Sequence, residues 1–319
     1  MSATGSLDER VMRRLKLREL RILTTVAQAG SMGKAAALLA LSQPAVSKAI
    51  AEMEHTLGVR LLDRTAQGIE PTLYGRALLK WAIAVFDDLR QGVREIEFLS
   101  DPTGGEVRVG CAEMMTAGLL PAVIDRLSQQ YPRLLFTVMV APNLVAQYRD
   151  LHERRVDLVF GRMILPIEDE DLDAEILFED PPIIVASAGN KWLRRRNIEP
   201  AELIDEPWCL PPYDSNVGSF ISQAFRALGL AAPRLTVESS SPHLYYALVH
   251  TGRFLSVAPV STLRLSGKRL GLKAVPIEIP IRPGPIGIVT LKNRTISPVA
   301  RLFIDCARKL AKPFTRDRK

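Results

Sequence analysis

Gln43, Pro44, Ser47 and Lys48 lie within one short stretch and carry side chains suited to reading nucleic-acid bases. Glutamine can bond adenine through two hydrogen bonds, serine can meet several base edges, and lysine favours guanine or phosphate. A helix would hold them together. Projected at about 100° per residue, Val46, Ile50, Met53 and Leu57 fall on one apolar stripe. The opposite face presents Pro44, Lys48 and His55, flanked by Ser47 and Ala51, with Gln43 at the N-terminal end. Glu52 and Glu54 come late. That suits a DNA-reading helix, which turns its N-terminal half to the bases. On charge alone, the face is equally that of a solvated three-helix bundle.

Other chemistries find less support. His55, His152, His243 and His250 show no metal-ligand spacing, and no GxSxG, Walker or GxGxxG motif occurs. An enzyme is therefore not expected, and no cofactor or metal is called for. The cysteines, Cys111, Cys209 and Cys306, are odd in number and widely spaced. This argues against a disulfide framework or a zinc site and favours a reducing cytosol. Cys209 keeps a redox-sensing alternative open. The chain has 319 residues, enough for two or three domains, and a net charge of +7, which fits a polyanionic partner. No apolar run approaches the ~18–20 residues of a membrane span. Residues 1–21 are charged without an apolar core, so a secretory signal is not expected.

Residues 17–58 read as three helices. The first carries Leu17, Leu20, Leu23 and Ala27 and stops at Gly30. Ser31 can cap the second, and Ser42 the third, with Pro44 tolerated in its first turn and Gly58 at its end. The joint Ala40-Leu41-Ser42 is as short as a helix-turn-helix requires. Residues 59–64 and 69–72 then suggest a two-stranded wing around Thr65 to Gly68, with Arg60 and Arg64 near the phosphate zone. Thr72 can cap a long helix over 73–99. Its Leu78, Ala82, Val85, Leu89, Gly92, Ile96 and Leu99 follow a heptad seam. That stripe predicts either packing on its own domain or pairing with a second chain, with Leu78, Ala82, Val85, Leu89 and Ile96 as the dimerisation residues.

Residues 17–75 resemble the DNA-binding domain of LysR-type transcriptional regulators. The resemblance rests on Ser31, Ala35-Ala36, Leu38, the run Ser42-Gln43-Pro44-Ala45-Val46-Ser47-Lys48, Ile50, Glu54, Leu57-Gly58, Leu61-Leu62-Asp63-Arg64, Thr72 and Gly75. It implies a winged helix-turn-helix over 1–75, with Gln43, Pro44, Ser47 and Lys48 facing the major groove. Ser31, Lys34, Arg64 and Gln67 complete the expected DNA-binding set. The position of Lys48 is commonly arginine in the family, and lysine keeps the charge but loses the planar fork. Gln67 stands at a wing position that is basic in some members. The resemblance further implies double-stranded DNA as partner, a homodimer that assembles into a tetramer, and RNA polymerase as a further partner.

Asp101 to Gly105 reads as a linker. Strands then alternate with helices, predicting an α/β domain with mainly parallel sheets over 101–319. The stretches "RVGCAEMMTAGLLPAVIDRLSQQYPRL", "VDLVFGR" and "LVHTGRFLSVAPVS" resemble the LysR-type sensor, which has the periplasmic-binding-protein fold. This implies two subdomains, 101–180 with 281–319 and 181–280, sandwiching a small-molecule effector. Strand ends place Glu113, Met114, Met115 and Thr116 on one wall with Asn143 and Leu144, and Pro212, Tyr213, Asp214 and Ser215 across from them. Met114 and Leu144 are apolar where relatives often have serine or threonine. Glu113 and Asp214 disfavour anions, so a less acidic or partly apolar effector is expected rather than a small dicarboxylate. The basic tail from Arg308 to Lys319 is expected to be solvated.

Overall fold

The computed structural model describes residues 15–65, 68–213, 215–280 and 284–315. Gln67, Asp214 and the tail residues Arg316, Arg318 and Lys319 lie outside them. The chain divides into two compact units, one ending at Val93 and one beginning at Arg94.

The first unit opens with α1 (Leu17–Ala29), α2 (Met32–Leu38) and α3 (Gln43–Leu57). The boundaries follow from side-chain and backbone chemistry. Gly30 closes α1 with a left-handed φ of 63°, where an L side chain is strained. Ser31 and Ser42 accept hydrogen bonds from the backbone N–H groups of Lys34 and Ala45 and so cap α2 and α3. Ile22, Leu23, Val26, Ala35, Ala36, Val46, Ile50 and Met53 meet in one core. The wing is an antiparallel hairpin of β1 (Leu62–Thr65) and β2 (Gly68–Pro71), pairing Leu62 with Pro71 and Thr65 with Gly68. It begins three residues later than the sequence pattern suggests. Val59 and Leu61 are apolar because they join the bundle core, not because they pair in a strand.

Glu54 fixes where the wing starts. Its Oε1 accepts hydrogen bonds from the N–H groups of Leu61 and Leu62, at 2.7 and 3.3 Å. Thr72 then donates to the carbonyl of Arg60 and accepts from the N–H of Gly75, starting α4 (Leu73–Ser100). Gly75 allows this crossing, since a Cβ there would stand 2.0 Å from the carbonyl oxygen of Leu61.

In the second unit a five-stranded sheet runs in the order β4 (Arg133–Val140), β3 (Gly104–Cys111), β5 (Leu158–Arg162), β12 (Gly284–Leu291), β6 (Leu172–Asp180). The sheet is mixed. β3 is parallel to β4 and β5, but β12 runs antiparallel to both β5 and β6. The expectation of mainly parallel sheets therefore needs correcting. β12 returns from the far end of the chain, and local sequence carries no signal of a strand's direction. A second lobe holds a three-stranded antiparallel sheet, β10 (Ser256–Pro259), β7 (Pro182–Ser187) and β11 (Leu272–Ala274), and a parallel pair, β8 (Trp208–Leu210) with β9 (Leu235–Glu238).

The helices of this unit are α5 (Leu119–Gln130), α6 (Leu144–His152), α7 (Asn216–Ala227), α8 (Pro242–His250), α9 (Val260–Leu270) and α10 (Pro298–Thr315). α5 and α10 lie on the five-stranded sheet, joining Leu119, Leu120, Val123, Phe303, Ile304 and Ala307 to Val107, Val109, Phe160 and Ile288. Trp208, Ile221, Phe225 and Leu255 centre the core of the second lobe. The region before α5 is a separate 3-10 turn over Glu113–Ala117. The sequence reading overlooked α9, whose Ser261, Thr262, Ser266 and Gly267 are buried despite their polarity.

Candidate nucleic-acid interface and effector cleft

α3 turns Val46, Ile50 and Met53 into the bundle and leaves Gln43, Pro44 and Lys48 exposed, with Ser47 half-buried beside them. The Oε1 of Gln43 lies 3.5 Å from where a Cβ on Gly33 would be, so the start of α2 closely approaches the start of α3. Lys34 is exposed, while the Ser31 hydroxyl serves as the α2 cap. Lys48 lies 3.8 Å from Glu52, one helical turn on, with both side chains well exposed. Such a pair is weak in water, so the ammonium is available to a phosphate or a guanine edge. Arg64 is exposed on β1, and among the described residues it forms no ion pair with Asp63 or Glu70. The wing is held to the bundle by the N–H of Ile69, which donates to the carbonyl of Gly30 at 2.9 Å. These elements put Gln43, Ser47 and Lys48 on the free face of a capped helix, with the exposed Arg64 on the wing of the same compact unit.

The expected seam on α4 divides. Leu78 packs against the bundle core and Ala82 is buried. These two residues are used within the chain, because the first turns of α4 must cover the three-helix core. Val85, Leu89, Ile96 and Leu99 stay exposed, Ile96 at 66% and Leu99 at 74%. Trp81 and Val93, absent from the heptad reading, widen that face and are also exposed. Their signal was present, since both lie within about 60° of the seam when projected at 100° per residue.

In the second unit the parallel strands β3, β4 and β5 end together at Cys111, Val140 and Arg162, where α/β sheets bind ligands. Glu113 and Met114 follow β3 and are half-buried. Met114 packs on Tyr245 and Tyr246 of the second lobe, and its sulfur accepts the Tyr246 hydroxyl at 3.6 Å. Met115 departs from the cleft reading. It is buried in the core beneath the sheet, against Gly161, because the 3-10 turn rotates it inward. Thr116 is exposed and donates to the carbonyl of Glu113. Asn143 caps α6 through the N–H of Ala146, and Leu144 is half-buried.

Across the cleft, Pro212 is half-buried, and Ser215 caps α7 through the N–H of Gly218. The Tyr213 hydroxyl donates to the carbonyl of Pro233 at 2.6 Å, and burial pushes its pKa up to about 12. That hydroxyl is engaged within its own lobe, so only the ring is left to face a ligand. All three cysteines are free and buried. Burial pushes the thiols of Cys111 and Cys209 up to about 11. Neither has the exposed, acidic thiol that redox sensing needs.

The residue missed at this cleft is Arg162. It ends β5, its guanidinium lies 5.8 Å from the ring centroid of Phe220, and its Nη2 donates to the carbonyl of Asp180 at 2.7 Å. A charged residue closely following the apolar Leu158-Val159-Phe160 was the available signal. Asp180, at the crossover between lobes, accepts hydrogen bonds from the N–H and hydroxyl of Ser261.

Among the described residues no group of His, Cys, Asp and Glu could hold a metal ion, and no helix is long and apolar enough to cross a membrane.

Residues 17–76 match the family described as bacterial regulatory helix-turn-helix protein, lysR family, and residues 100–312 match the LysR substrate binding domain. The transcriptional regulator GbpR of Azospirillum brasilense is 29% identical over 296 residues, spanning 92% of this chain and 86% of GbpR. Among solved structures, ArgP from Mycobacterium tuberculosis superposes with a TM-score of 0.67 at 19% identity, covering 93% of this chain and 98% of that one. Full-length CbnR in complex with its target DNA gives 0.61 at 19% identity, covering 93% of this chain and 100% of that one. GbpR and CbnR are transcriptional regulators. This chain is a member of the LysR family of DNA-binding transcriptional regulators, with a helix-turn-helix and an effector-binding domain.

Proposed function

We propose that the protein binds a specific operator as a dimer, and in the assembled state as a tetramer, under the control of a small-molecule effector held between its two α/β lobes. The observation that carries this reading is the free face of α3, where Gln43, Ser47 and Lys48 stand clear of the core on a helix capped at both ends. In this reading residues 1–75 form the winged helix-turn-helix and 73–99 the dimerisation helix. Residues 101–319 form the effector domain, as subdomains 101–180 with 281–319 and 181–280. The exposed Val85, Leu89, Ile96 and Leu99 support pairing with a second copy, which would present two recognition helices to two half-sites. The effector is less acidic or partly apolar, given Glu113, Met114 and Leu144 at the strand ends. The reading also makes the protein cytoplasmic and admits RNA polymerase as a partner at the promoter.

Fluorescence anisotropy on the DNA upstream of its own gene, against scrambled DNA, tests this reading. Specific binding should exceed scrambled binding by at least ~10³, and Lys48→Ala should narrow the difference by about 1–3 kcal/mol if its ammonium reads a base. Equal binding to both DNAs, lost steeply with salt, would reduce the protein to a non-specific polyanion binder.

A further inference from the structure

Arg162 is a cation out of place. Its Nη1 is shut off from solvent and has no hydrogen-bond partner, and its Nη2 bond to the carbonyl of Asp180 is the one hydrogen bond it makes among the described residues. A guanidinium offers five N–H donors in a planar fork, so most of its capacity is unused. Among the described residues no carboxylate lies within ion-pair distance, although Asp180 and Glu179 are near enough for their fields to be felt. The Asp180 carboxylate is turned to the N–H and hydroxyl of Ser261. Burial lowers the proton affinity of Arg162, and the fields of Asp180 and Glu179 do not make up the loss. The cation is therefore under-compensated even with two acids nearby. A buried donor without an acceptor costs about 1–3 kcal/mol, so each such group calls for an explanation.

The surroundings preserve this arrangement. A Cβ on Gly284 would stand 2.1 Å from Nη1, so glycine at the start of β12 lets the guanidinium lie where it does. The Phe220 ring on α7 supplies one face for stacking. The side chain as a whole is only half-buried and stands at the carboxyl end of β5, beside Phe220 of the second lobe.

We propose that Arg162 is the anchor for the acid group of the effector, which is a monocarboxylate with an apolar body. A carboxylate matches the guanidinium fork and supplies the missing acceptor. A single acid group follows from Glu113, Glu179 and Asp180, which leave no welcome for a second negative charge. This inference rests on the reading of the cleft as the effector site.

The test is calorimetric titration of the full chain with hexanoate and phenylacetate, each against its primary amide, in wild type, Arg162→Met and Gly284→Ala. Wild type should prefer the acids over the amides by about tenfold or more. Arg162→Met should abolish the preference, and Gly284→Ala should weaken it by displacing the guanidinium with no change of charge. No preference in wild type, or a preference kept by both variants, overturns the proposal. Specific operator binding, measured in parallel by anisotropy, separates the outcomes. If it survives while the acid preference is absent, the anchor is wrong and the regulator reading stands.

Discussion

Asp157 and Arg294 meet at 2.7 Å with both side chains only 3% exposed. The same carboxylate oxygen takes Arg108 at 2.7 Å and lies 3.8 Å from Arg94, at the far end of α4. Burial alone would raise the pKa of Asp157, but the hydrogen bond from Arg108 and the charges of Arg108 and Arg294 hold it below the usual carboxylate range. A carboxylate lowered in the fold adds stability above its unfolded pKa of about 3.9. That contribution is lost as pH falls through the folded value. Thermal melting should therefore hold level from neutral pH to about 5 and decline below about 4. Asp157→Asn should melt several degrees lower at neutral pH, a loss of about 3 kcal/mol or more, with a flatter acid limb. An unchanged acid limb in the variant would place the sensitivity elsewhere.

Lys48 and Glu52 share one face of α3, and the ammonium is the group expected on DNA. Lys48→Ala should weaken operator binding by about 1–3 kcal/mol if it reads a base. It should instead lower the salt slope by about one if it meets a phosphate. Glu52→Gln should tighten binding slightly by removing a competitor. Anisotropy at several salt concentrations reads both effects, and an unaltered Lys48→Ala isotherm would take α3 out of the groove.

Exposed apolar residues along α4 should make the chain self-associate. Leu89→Glu with Ile96→Glu removes apolar contact from positions exposed in the single chain, so the fold should persist while the dimer is lost. Light scattering coupled to gel filtration would show mass falling to that of one chain with circular dichroism unchanged. A dimer of full strength in the double variant would move the interface off this helix.

Gly75 and Leu61 cross so closely that a methyl group has no place between them. Gly75→Ala should cost about 2–4 kcal/mol, in the range of large single-residue effects. It should also weaken DNA binding through the wing. A Tm within a degree of wild type would show that the backbone yields there at little cost.

Cys209 is buried and its thiol is held in the protonated form, so it should not react with iodoacetamide at pH 8 while the protein is folded. Cys209→Ser should leave the response of DNA binding to peroxide unchanged. Rapid native-state labelling of this residue by mass spectrometry would restore the redox alternative.

The first unit was the more legible in sequence because its signals are local. Ser31, Ser42, Gly30 and Gly58 each stop or start a helix by contacts within a few residues. The second unit resisted where contacts are distant. The antiparallel insertion of β12 between β5 and β6 depends on residues more than a hundred positions apart. The polar burial of α9 and the inward turn of Met115 likewise depend on neighbours that periodicity cannot see. Tyr213 and Ser215 were singled out for their chemistry, yet their hydroxyls bond the carbonyls of Pro233 and Pro212 within the second lobe. Arg162 was passed over because one charge after an apolar run looks like a strand end meeting water.

Strand β5 joins two unusual arginine environments through one sheet. Arg162 closes it, and Asp157 with its arginines stands just before its other end, about 16 Å away at ~3.3 Å per residue. β3 and β12 clasp the strand from either side. A strand gripped in this way cannot slip along its own axis without breaking both ladders. A shift at Arg162 would therefore be shared with β3 and β12 rather than absorbed by the strand alone. Arg108, itself on β3, ties the Asp157 cluster at the other end into the same clasped sheet.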